Sequence, residues 1–127
     1  MIDYKNLVDE FQKGVVGLGH GYHQEYIPGN SVACIKAKLL AEECEELCQE
    51  LYAEFYFEKT NNKEAVLKEL CDVLYIAFGI AATYDLPIEQ AFIRVHENNM
   101  LKLKYPIVDG KVIKAKDHPK VDLSDLV

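Results

Sequence analysis

The chain has 127 residues, half of them hydrophobic, and a formal net charge of -7 at pH 7. That size suits a single domain, residues 1–127, with a core of its own and a tendency to oligomerise; that composition excludes a chain disordered throughout. The acidic balance, with Arg94 as the only arginine, excludes nonspecific nucleic-acid binding, which needs a basic surface. It leaves room for a phosphorylated small molecule, provided metal ions bridge the two sets of negative charge.

A first amphipathic segment, Tyr4 to about Val16, sets Leu7, Val8, Phe11 and Val15 on one stripe. The glycines of Gly17-Leu18-Gly19-His20-Gly21 break it, and a loop follows to Asn30. Tyr22, His23 and Tyr26 in that loop offer stacking surfaces, although an ordinary surface loop explains them as well. Ser31 is the expected N-cap of a second helix from about Val32 to Lys59, roughly 40 Å long by its rise per residue. One stripe of this helix is apolar: Leu40, Cys44, Leu47, Cys48, Leu51 and Phe55. Another begins with Ile35 and Leu39 and turns acidic at Glu42, Glu43, Glu46 and Glu50, which share a sector about 100° wide. Glu45 falls off that sector and reads as solvated.

Thr60-Asn61-Asn62 separates this helix from a third, about Lys63 to Tyr84. Glu69 and Asp72, three apart, stack on one face of it. Val66, Val73, Ile76 and Ile80 flank them, so the pair is expected to point inward. Beyond Asp72 the helix has almost no polar side, as expected of a central helix or one buried against a second subunit. Asp85 is placed to cap a fourth helix that has Pro87 in its first turn and runs to about Lys104. Its seam of Ile88, Ala91, Phe92 and Val95 continues into Asn99 and Lys102, polar residues where the period calls for core. Asp109-Gly110 between short β-prone runs signals a hairpin, and residues after Ala115 read as an extended arm.

The N-terminal stretch MIDYKNLVDEF lacks a basic region followed by an apolar one, so no secretory signal is expected. The longest apolar run, Val73 to Ala82, is about half a bilayer span. These features set the expectation of a cytoplasmic protein without membrane contact. Cys34, Cys44, Cys48 and Cys71 all lie in helical patterns and read as buried free thiols of a reducing compartment.

The two acidic clusters carry the chemistry. Carboxylates converging between two helices repel strongly in a low dielectric, and uncompensated burial costs several kcal/mol for each ion. A hard divalent cation, which takes oxygen ligands, resolves that conflict. Leu40-Ala41-Glu42-Glu43-Cys44-Glu45-Glu46-Leu47 followed by Glu69-Leu70-Cys71-Asp72-Val73-Leu74-Tyr75 resembles the EExxE…ExxD signature of the all-α nucleoside triphosphate pyrophosphohydrolases. This is the MazG-type superfamily, which includes phosphoribosyl-ATP pyrophosphohydrolase. Val95 to Leu103 is similar to an asparagine–lysine motif on the family's last helix. Asp109 to Lys114 and Val121-Asp122-Leu123 resemble the tail of its phosphoribosyl-ATP-pyrophosphohydrolase-like branch.

The resemblance implies an all-α, MazG-like four-helix protein with a short C-terminal hairpin or extended arm, assembled as a homodimer or homotetramer. It implies hydrolysis of a nucleoside triphosphate to monophosphate and pyrophosphate with Mg2+, or Mn2+ in its place. By the same resemblance Glu43, Glu46, Glu69 and Asp72 would hold metal, and Glu42 would orient or deprotonate the water. Asn99 and Lys102 would meet phosphate; Arg94, in the same sector as Lys102, and Lys36, just before the acidic motif, are weaker candidates for substrate contact, Lys36 reading first as solvated. A nucleotide-pool role is ranked above phosphoribosyl-ATP hydrolysis because of the tail. A dinuclear iron carboxylate bundle would need Glu-x-x-His pairs, and none of the histidines supplies one. A non-catalytic nucleotide-binding helical dimer is the rival from another class.

Overall fold

The computed structural model describes residues 1–17, 29–56 and 63–127. They form four α-helices, α1 (Tyr4–Gly17), α2 (Gly29–Tyr56), α3 (Lys63–Thr83) and α4 (Ile88–Leu101), and a two-stranded hairpin of β1 (Ile107–Val108) and β2 (Lys111–Val112). The all-α architecture with a C-terminal hairpin is the one expected. The chain divides into two compact units, Met1–Asp85 and Leu86–Val127.

In the first unit α3 is the shared element, with α1 packed on it and α2 packed on it. Asp3 starts α1: its Oδ1 accepts the Asn6 backbone N–H at 3.0 Å, satisfying one of the donors a helix start leaves unpaired. Val8 of α1, Val32 of α2 and Gly79 and Ala81 of α3 are buried. Gly79 permits the close approach of α1. A β-carbon there would lie 3.1 Å from the Gln12 Oε1 and 3.4 Å from a Val8 methyl. Aromatic pairs extend the contact, with Tyr4 stacked on Phe78 at 5.4 Å and Phe11 edge-on to Tyr75 at 5.8 Å.

Three local expectations are corrected. The α2 helix already begins at Gly29, so Ser31 lies inside it and is not its cap. Asp85 does not cap α4: it sits at φ 51° in the left-handed region, and its carboxylate takes the Lys5 ammonium at 3.0 Å. Pro87 occupies the cap position instead, where its missing N–H costs nothing. The cysteines are free, but only Cys44 is half-buried; Cys34, Cys48 and Cys71 are exposed. The expected end of α2 at Lys59 and the loop with Tyr22, His23 and Tyr26 lie outside the described residues.

The second unit begins with α4, which tightens into a 3-10 turn over Lys102–Lys104. The hairpin follows, antiparallel, with Ile107 opposite Val112 and Val108 opposite Lys111. Asp109 and Gly110 both have positive φ, 50° and 75°, the twist that a two-residue hairpin turn requires. The chain then returns along α4. No described helix is long and apolar enough to cross a membrane.

Candidate metal centre

The face of α2 that meets α3 carries Val32, Lys36, Glu43 and Glu46, spaced by three, four or seven residues so that they fall on one stripe. Val32 and Lys36 are buried. Further along the same stripe, Glu43 and Glu46 meet Glu69 and Asp72 of α3. One carboxylate oxygen from each of the four lies within 4.8 Å of the other three.

Charge is imperfectly balanced there. Lys68 pairs with Asp72 one helical turn away and reaches Glu69 Oε1 at 3.5 Å. It is the counter-charge the sequence reading missed, although its i, i+4 spacing to Asp72 was visible. The Lys68 side chain is 65% exposed while that of Glu69 is 17% exposed, so Lys68 covers the cluster from its solvent side. The Glu43 Oε2 and Glu69 Oε2 are buried and have no hydrogen-bond partner among the described residues. Desolvation, and then the neighbouring charges of Glu46 and Asp72, hold the Glu43 carboxyl above the ordinary carboxylate range.

Four carboxylates with two unpartnered buried oxygens fit a hard divalent cation. Oxygens on opposite sides of a magnesium ion are about 4.2 Å apart, so oxygens already within 4.8 Å need only small side-chain adjustments to share one. The donor set is all oxygen, the ligand type that hard divalent cations take.

The remaining site residues are distributed as follows. Glu42 is exposed on α2, adjacent in sequence to Glu43 and outside the four-acid group. Lys36 is buried, 5% exposed, and donates to Gln12 Oε1, which also accepts from Thr83 Oγ1 at 3.4 Å. Burial pushes its ammonium below the ordinary lysine range. In the second unit, Lys102 Nζ donates to Asn99 Oδ1 at 2.8 Å, joining the two residues that interrupt the apolar seam of α4. Arg94 grips the tail: it holds both carboxylate oxygens of Asp125, one at 2.8 Å, and donates to the Asp122 carbonyl at 3.1 Å.

An α-helical protein with a cluster of four carboxylates able to hold a metal ion is thus the class that fold and site define. The sequence model of the family described as "Phosphoribosyl-ATP pyrophosphohydrolase" matches residues 28–99, more than half of the chain, and the protein belongs to that family. Proteins named phosphoribosyl-ATP pyrophosphatase are similar to it: 29% identical in Bacillus mycoides (strain KBAB4), and 31% in Bacillus cereus (strain AH820) and Bacillus anthracis (strain A0248). Each match covers 85 residues, 67% of this chain and 64% of the relative. The family match includes all four clustered acids, Glu42 and Asn99, and ends before Lys102 and the C-terminal tail.

Proposed function

We propose that the protein is a metal-dependent pyrophosphohydrolase acting on the α–β phosphoanhydride of a nucleotide, and that its substrate is phosphoribosyl-ATP. The observation that carries the reaction is the four-acid cluster with its two unpartnered buried oxygens, which lies inside the family match. The names of the curated relatives support the substrate, reversing the ranking drawn from the tail.

In this proposal Glu43, Glu46, Glu69 and Asp72 hold the cation. Magnesium, or manganese in its place, supplies screening of phosphate charge and activation of water. Glu42 extends from the same turn of α2 as Glu43 and is exposed to solvent, so its carboxylate can take a proton from the attacking water. Lys68, which is exposed, would give up its pairing with Asp72 to a bound cation. Asn99 and Lys102, already oriented by their mutual hydrogen bond, donate to phosphate oxygens. Arg94 contributes by holding the tail.

Assembly of two copies belongs to the same proposal. Leu67, Leu70, Leu74 and Tyr75 are all exposed on α3, which is more apolar surface than one helix of a monomer ordinarily shows.

A nucleoside triphosphate has the same scissile anhydride and is the second reading. What favours it is the hairpin at Ile107–Val112, in the tail on which the nucleotide-pool ranking rested and which lies beyond the family match. Incubation with phosphoribosyl-ATP and a panel of ribo- and deoxyribonucleoside triphosphates, with magnesium or EDTA, separates the readings by chromatography. Pyrophosphate released fastest from phosphoribosyl-ATP, and only with metal, is the expected result. Preferential turnover of a triphosphate would move the substrate to the second reading. Nucleotide binding without turnover would reduce the protein to a binding module.

A further inference from the structure

Lys68 precedes Asp72 by one helical turn on α3 and so shares its face. Its ammonium is paired with Asp72 and lies 3.5 Å from the Glu69 Oε1. Its charge also reaches Glu43, lowering a carboxyl that burial and the other acids raise. Three of the four clustered acids thus lean on one lysine. Lys5, Lys13 and Lys36 of the same unit are engaged with other partners, Asp85, Asp9 and Gln12.

Exposure sets the side from which Lys68 acts. Its side chain is 65% exposed, against 17% for Glu69 and 34% for Asp72, so the ammonium stands on the solvent side of the carboxylates, where an anion would arrive. Its flexible stem lets it change partners without moving the helix. While no cation is bound, the ammonium is committed to carboxylates and is not offered to an anion. One divalent cation balances only half the charge of four ionised carboxylates, so an arriving phosphate still meets net negative charge. A lysine released at that rim reduces the excess and presents three N–H donors.

We propose that Lys68 couples cation binding to anion binding at this site: it holds Asp72 and Glu69 while the cation is absent and, once replaced, donates to a phosphate oxygen of the substrate. The proposal deepens the pyrophosphohydrolase reading, on which the identity of the anion rests. Lys68 opposes the cation and assists the anion, so a single substitution moves the two affinities in opposite directions. A lysine that only packs against its helix would not do so. The coupling is reciprocal: each ion raises the affinity for the other by the same factor.

The test uses the full chain and two simple probes. Magnesium alone, titrated by calorimetry, should bind Lys68→Gln about two- to fivefold more tightly than the wild type, the factor that an exposed ion pair accounts for. Inorganic phosphate is then titrated at saturating magnesium, with the backbone amides of Lys68 and Glu69 followed by NMR. It should bind Lys68→Gln about tenfold more weakly, as the loss of a charged hydrogen bond implies. Lys68→Arg, which keeps the charge, and Lys13→Gln, which removes one from α1, should both resemble the wild type. Unchanged phosphate affinity in Lys68→Gln, magnesium bound no more tightly by it, or equal changes in Lys13→Gln would overturn the coupling. So would a wild type that binds no magnesium. The hydrolytic reading fails separately: both ions bound as described, with no pyrophosphate released from any nucleotide, would defeat it and leave the coupling standing.

Discussion

Glu43 is the residue on which metal, proton and fold compete. Its carboxyl is raised above the ordinary 4.5, first by desolvation and then by Glu46 and Asp72. The metal-free fold therefore holds this proton more tightly than the unfolded chain does. That contribution to stability is full below about pH 4.5 and disappears as the pH rises through the raised value. At neutral pH the ionised group works against the metal-free fold, so Glu43→Gln should raise the melting temperature in EDTA at pH 7.5. The same variant should lower activity at least about 100-fold, since losing a mere outer-shell partner typically costs 10–100-fold. A lower metal-free melting temperature with activity retained would contradict both halves. Lys68→Ala should do the reverse in EDTA, lowering stability and enlarging the stabilisation that magnesium gives, because Asp72 loses its ion-pair partner; thermal melts with and without magnesium measure it. Spacing put Glu42, Glu43, Glu46 and Glu50 on one sector of α2 and Glu69 and Asp72 on one face of α3; the family resemblance, not spacing, selected the four acids that the structure brings together. The burial of Lys36 was not legible: a lysine at the start of an acidic stripe looks solvated until α1 is seen to place Gln12 over it.

At the scale of elements, α1 depends on one small residue of α3. A side chain at Gly79 meets Gln12 and Val8 at once. Gly79→Ala should be close to neutral, since the gain in helix propensity of about 1 kcal/mol offsets mild crowding of a flexible glutamine. Gly79→Leu should cost roughly 1–3 kcal/mol by overpacking, which urea denaturation would read. Equal stability of the two variants would show that α1 is not held this closely. The tail responds to acid. Hydrogen bonds from Arg94 hold Asp125 below the ordinary 3.8, and those from Ser124 do the same for Asp122. Depressed carboxylates contribute stability above their unfolded values and lose it as the pH falls through the folded ones. Amide shifts of Ser124 and Leu126 should thus stay native down to about pH 4 and change only in stronger acid; a transition near pH 5 would contradict the assignment. The helices were legible because apolar periodicity and glycine breaks agree, as was the hairpin at Asp109-Gly110. The caps were not, because Ser31 and Asp85 have cap-forming side chains while the positions are set by where the chain turns.

For the whole molecule, cation binding and folding are linked. A cation that binds only the native state adds about 2.7 kcal/mol at a concentration 100 times its dissociation constant, and protons compete with it for Glu43. The magnesium-dependent rise in melting temperature should therefore shrink between pH 7.5 and pH 5, and a rise independent of pH would place the cation elsewhere. The expected thiol burial fails at Cys34, Cys48 and Cys71, which are exposed, as Leu67, Leu70 and Leu74 of α3 are; cover by a second copy belongs to the proposal. In the proposed reaction the four clustered acids hold the cation that makes anhydride cleavage possible. The most direct measurement is a phosphorus NMR time course of phosphoribosyl-ATP with the wild type, Glu43→Gln and Asp72→Asn, each in magnesium and in EDTA. Pyrophosphate from the wild type in magnesium alone is the predicted result. Equal release by either variant, or by the wild type in EDTA, would contradict it.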